Sequence, residues 1–91
     1  MKKKQTRPVD KDLNRKIRKR DNYTCQMCKK KKRPIALEIH HIQRWADAPM
    51  LRYAESNLIT LCKKCHKSIR GKEVYYQAYF AEILYGNKKR K

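Results

Sequence analysis

Apolar positions along this chain come in short groups, and the spacing within each group indicates its secondary structure. Leu13 and Ile17 fall four apart behind Asp10-Lys11-Asp12. That spacing, with aspartates able to cap, predicts a helix over about residues 10–20 with a thin apolar stripe and a basic outer face. Asp21-Asn22 reads as the turn that ends it. Ala36-Leu37-Glu38-Ile39-His40 alternates apolar and polar, the period of a half-buried strand with Leu37 and Ile39 on one face. Leu58-Ile59-Thr60-Leu61 is a second, short β-prone run. Between them, residues 42–56 are mixed, with Trp45, Pro49 and Tyr53, and read as a loop containing a helical turn. A further helix is predicted after Cys62, ending near Gly71. Residues 73–85 have helical periodicity, with Tyr76, Phe80, Ile83 and Leu84 on one face and Gly86-Asn87 as the stop.

These elements make one domain over residues 10–86. A basic arm (1–9) precedes it and a basic tail (87–91) follows it. The chain has 91 residues, too few to bury a large core, so a structural metal is a natural supplement. Lys and Arg number 26 against 8 Asp and Glu, a net charge of +18. Residues 1–33 hold 15 of the basic residues and three acids, Asp10, Asp12 and Asp21. That excess points to a polyanionic partner, with nucleic acid the leading candidate. No apolar run approaches 18 residues, so no membrane span is expected. The basic start lacks a following apolar stretch, so no secretory leader is expected.

The chemistry lies in seven residues. Cys25-Gln26-Met27-Cys28 and Cys62-Lys63-Lys64-Cys65 are two Cys-x-x-Cys turns, and they bracket His40-His41; His66 follows the last cysteine. Each turn aims two sulfurs at one point, and two turns complete a tetrahedral zinc site. Disulfides are the alternative, but the two-residue spacers, the adjacent histidines and the lack of a leader favour metal. The 33 residues between Cys28 and Cys62 require something folded between the knuckles. A Cys₄ site has no open position, so it is expected to be structural. Substitution of His66 for Cys65 as the fourth ligand is the lesser alternative. No internal repeat is visible beyond the two Cys pairs.

Three segments together carry a resemblance: Arg20-Asp21-x-Tyr23-x-Cys25-x-x-Cys28, Glu38-x-His40-His41-Ile42, and Asn57-Leu58-Ile59-x-Leu61-Cys62-x-x-Cys65-His66. Over about residues 20–70 the chain resembles the HNH endonucleases, in their zinc-bearing form and similar to stand-alone bacteriophage members. The resemblance implies an α+β fold: a small ββα-metal (His-Me finger) core, a structural Cys₄ zinc site, and flanking N- and C-terminal helices. It implies that His41 is the general base, that His40 and His66 hold a catalytic divalent ion, and that Asn57 braces the loop and orients the base. Cys62 stands where some members have a third histidine. With Cys62 committed to zinc, two imidazoles remain for the catalytic ion, and Mg²⁺, Mn²⁺, Ni²⁺ and Zn²⁺ all stay open.

Adjacent strand residues face opposite sides, so His40 and His41 suit separate roles. Glu38 reads as a solvent-facing strand residue, with ligation as its alternative. Tyr75, Tyr76, Tyr79 and Phe80 read as core and cover; the roles of Trp45 and Arg70 stay open. The implied activity is hydrolysis of double-stranded DNA, one strand nicked per active site. A monomer or weak dimer is expected, in the cytoplasm (that of a host cell if the chain is phage-encoded), with other phage DNA-processing proteins as candidate partners. A non-catalytic zinc-knuckle nucleic-acid-binding protein and an RNase are the competing functions.

Overall fold

A computed structural model of the chain describes residues 10–89; the proposed arm over residues 1–9 lies outside them. Helix α1 spans Lys11–Arg20. Asp10 caps it by accepting the Leu13 N–H at 2.9 Å. Arg18, Lys19 and Arg20 in the last turn suit the negative end of the helix dipole. Ile17 is fully buried and Leu13 half-buried, the expected thin stripe. Asp21 closes the helix, and Asn22 and Tyr23 turn the chain through left-handed backbone at φ 57° and 52°.

The first cysteine turn follows. Its ends meet in a bridge between Thr24 and Lys31. The Gln26 N–H donates to Thr60 O at 3.0 Å and docks the turn on the sheet. That sheet has two antiparallel strands, β1 (Leu37–His41) and β2 (Leu58–Cys62), paired Leu37 with Cys62 through His41 with Leu58. Strand β1 is displaced one residue from its sequence-predicted range, because Pro34 starts a 3₁₀ turn that takes in Ala36. Its burial also departs from simple alternation. Leu37 is buried, Ile39 only half-buried, and His40 on the other face is buried. The cause is cover on both sides, with α1 against one side and the later helices against the other. All five residues of β2 are buried for the same reason.

The connection from β1 to β2 contains two 3₁₀ turns, Pro49–Leu51 and Glu55–Asn57. After β2 comes the short helix α2 (Lys63–Ser68), then α3 (Gln77–Lys89). Helix α2 ends at Ser68, short of Gly71, which instead takes φ +84° in the following turn. Helix α3 corrects a second expectation. It begins four residues later than residue 73 and runs through Gly86 and Asn87, so the anticipated break between residues 86 and 87 falls inside a helix. One contact accounts for the continuation: the Asn87 amide donates to Gln26 Oε1 at 3.1 Å, tying α3 to the first cysteine turn. The predicted apolar face is present. Phe80 is fully buried, and Tyr76, Ile83 and Leu84 pack against the same core as Leu37, Ile42, Ile59, Leu61 and Ile69.

One ion pair ties α1 to the sheet. The Arg20 guanidinium meets both oxygens of the Asp21 carboxylate at 2.9 and 3.0 Å, and it also donates to Leu58 O and Glu55 O. Buried Asp21 accepts the Thr60 N–H at 3.0 Å. The architecture is the expected α+β arrangement: two strands and a short helix, with a helix before and a helix after.

Candidate active site and zinc centre

The four cysteines converge. Their sulfurs all lie within 4.8 Å of one another, with Cys28 and Cys62 at 4.0 Å. Tetrahedral ligation at a Zn–S bond of about 2.3 Å sets sulfurs about 3.8 Å apart, so the cluster fits one zinc ion. Backbone N–H groups support the sulfurs. Cys25 Sγ accepts from Met27 and Cys28, and Cys62 Sγ caps α2 by accepting the Cys65 N–H. Burial opposes ionisation of Cys25, but N–H groups of Cys28, Cys62 and Met27 outweigh it and bring the thiol down to about 7. Cys65 is pushed the other way, by burial and by the neighbouring sulfurs. A divalent cation relieves the repulsion among thiolates packed this closely. His66 is not drawn into the cluster; its ring turns toward β1.

Glu38 and His40, two apart on β1, share the face that looks onto α2. His40 Nδ1 and His66 Nε2 are 3.3 Å apart, with the ring centroids at 5.1 Å. Two imidazole nitrogens bound to one ion at about 2.0–2.1 Å with tetrahedral angles would be separated by about 3.3–3.4 Å. The spacing therefore suits a shared cation. Phe80 packs edge-on against His40, at 5.4 Å between centroids. Burial, then the nearby His66, lowers the His40 pKa to about 4, so the ring stays neutral and able to ligate. Glu38 does not face solvent alone, as the sequence suggested. Its Oε1 sits 2.7 Å from His66 Nδ1. The signal was there in the period of two between Glu38 and His40, but its partner comes from a helix 28 residues away.

His41 points to the opposite side of β1. Its Nε2 lies 2.9 Å from the Arg52 carbonyl oxygen. A carbonyl only accepts, so Nε2 carries the proton and Nδ1 of the neutral ring is an acceptor. Trp45 packs edge-on against His41 at 5.4 Å, and the Arg52 guanidinium lies 4.3 Å above the Trp45 ring. Arg52 Nε also donates to Trp45 O at 2.8 Å. Trp45 thus serves as a loop anchor, which the sequence left open. Arg52 was missed because its contribution is a main-chain oxygen, invisible to residue-type reasoning.

Asn57 is buried beneath the same loop. Its Oδ1 accepts the Gln43 N–H at 2.7 Å, and its Nδ2 donates to Gln43 O and Leu51 O at 3.2 and 3.1 Å. The Ile42 N–H reaches the Asn57 carbonyl at 2.8 Å. The residue thereby fixes both ends of the segment that supplies the Arg52 carbonyl.

A family model described as HNH endonuclease matches residues 25–71, the segment from the first cysteine of the cluster to the turn after α2. No curated protein and no solved structure matches the chain. No helix among the described residues is long and apolar enough to cross a membrane.

Proposed function

This chain belongs to the HNH endonuclease family, the match covering more than half of its 91 residues, and from that membership we propose that it hydrolyses DNA phosphodiester bonds with His41 as general base and one divalent ion held by His40 and His66. The observation that carries the reading is the division of labour on β1. His40 faces His66 at a distance suited to a shared cation, while His41, the next residue, is oriented by the Arg52 carbonyl on the other side.

In this reading the basic surface gathers the polyanion and offsets the repulsion that an anionic phosphodiester presents to an attacking hydroxide. His41 Nδ1 takes a proton from water as its oxygen attacks phosphorus. The P–O3′ bond breaks, its electron pair leaving with the 3′-oxygen, which takes a proton from solvent water, giving a 5′-phosphate and a 3′-hydroxyl. Asn57 and Arg52 hold the base in its tautomer and place. An ion at His40 and His66 would supply charge stabilisation for the phosphoryl and departing oxygens. The four cysteines hold zinc that ties the first turn to β2 and α2. One site per chain cuts one strand, so nicks precede double-strand breaks.

Relaxation of supercoiled plasmid tests this across Mg²⁺, Mn²⁺, Ni²⁺ and Zn²⁺. His41→Ala is expected to lose about 10²–10⁴-fold in rate while zinc content and DNA binding persist. Unchanged nicking in that variant removes His41 as the base. Failure of the wild type to nick with any ion favours a binding module, and preferential cleavage of RNA in a parallel arm redirects the substrate.

A further inference from the structure

Glu38 is the group behind the imidazole pair. Its oxygen is 2.7 Å from His66 Nδ1, and the opposite ring nitrogen, Nε2, faces His40 Nδ1 at 3.3 Å. An ionised carboxylate accepts hydrogen bonds and donates none. His66 Nδ1 must therefore carry the proton. In the neutral ring the lone pair is then on Nε2, directed at His40.

His40 has no such support. Its Nε2 is buried without a hydrogen-bond partner, with the Phe80 ring packed edge-on against the imidazole. The two imidazoles thus differ: one is polarised by a carboxylate, the other held by packing. A carboxylate on the far nitrogen fixes a metal-binding histidine's tautomer and raises its basicity.

We propose that Glu38 is a positioning residue that sets the tautomer and orientation of His66 and so governs affinity for the divalent ion. This rests on the reading of His40 and His66 as ligands. Glu38 does not ligate; it acts through His66. The α2 end of the pair is then the stronger donor, and metal affinity depends on the register that places Glu38 two residues before His40.

The test is titration calorimetry of Ni²⁺ into the zinc-loaded full chain, comparing wild type, Glu38→Gln and His66→Ala, with zinc content and thermal stability recorded for each. Wild type is expected to bind one further ion, His66→Ala none, and Glu38→Gln about 10–100-fold more weakly than wild type, all retaining zinc. Equal affinity in wild type and Glu38→Gln, with binding lost in His66→Ala, overturns the role of Glu38 and leaves the ligand pair standing. No further ion in wild type, or wild-type binding in His66→Ala, overturns both. A second measurement needs no substitution: imidazole ¹⁵N shifts of the wild-type zinc form at pH 8 should show His66 protonated at Nδ1. Protonation at Nε2 overturns the proposal even if Glu38→Gln fails to fold.

Discussion

Asn57 clasps the main chain of Gln43 from both sides, accepting its N–H at 2.7 Å and donating to its carbonyl at 3.2 Å. Asn57→Ala should strand these buried groups, at a cost of about 1–3 kcal/mol for each group left unsatisfied. Asn57→Asp keeps the acceptor but turns the donor into a second acceptor facing Gln43 O and Leu51 O. Urea denaturation should show both variants destabilised, and nicking should fall further than stability does because the Arg52 carbonyl shifts. Wild-type stability in Asn57→Ala would contradict the bracing role.

Removing zinc should unfold the domain. The cysteine cluster joins the first turn, β2 and α2, which are otherwise linked by a few hydrogen bonds and a small core. Structural zinc supplies much of the folding free energy in domains of this size. Loss of native circular dichroism on chelation, and in Cys62→Ser, is the expected result; a native spectrum in the zinc-free variant argues otherwise. Zinc affinity should weaken as pH falls, because protons compete with the ion for the four sulfurs.

His40 should remain neutral well below the ordinary imidazole range. Its pKa lies near 4 in the folded chain against 6.5 for an unperturbed imidazole. Between these values the unfolded chain binds a proton that the folded chain does not. Its contribution to stability is therefore complete above about pH 6.5, declines as pH falls to about 4, and is constant below that. The His40 Hε1 resonance of the protein without the second ion should be flat from pH 8 to 5. A titration midpoint near 6.5 contradicts the burial argument.

The two glycines should respond oppositely to alanine. Gly86 lies within α3, and a Cβ there meets nothing within 4 Å. Gly86→Ala should therefore stabilise by about 0.5–1 kcal/mol. Gly71 has open space too, but its φ of +84° disfavours any L side chain. Gly71→Ala should destabilise by about 1 kcal/mol. Thermal melts of the two variants decide. A destabilised Gly86→Ala would indicate that the helix stops there after all.

Much of this molecule was legible in one dimension. The cysteine spacing foretold the four-sulfur cluster, and the period-two run foretold a strand that sends His40 and His41 to opposite sides, because turn geometry and strand pleat are local. Capping by Asp10 and the apolar face of Tyr76, Phe80, Ile83 and Leu84 were legible for the same reason. Helix boundaries were less so. Glycine and asparagine stop a helix in isolation, but Asn87 gains a partner in Gln26, 61 residues away, and the helix continues.

The sequence alone determined which residue types were available and in what order: four thiols, three imidazoles, an Asn and a large positive charge. Tertiary structure decided their partners. Glu38 became the neighbour of His66, the Arg52 carbonyl the anchor of His41, and the Arg20–Asp21 fork the tie between α1 and β2. Each is a hydrogen bond between distant segments or to the main chain. Such bonds depend on direction and on distances near 3 Å, which composition and periodicity do not encode. They arise only once the buried strands and the cysteine cluster have fixed the segments in space.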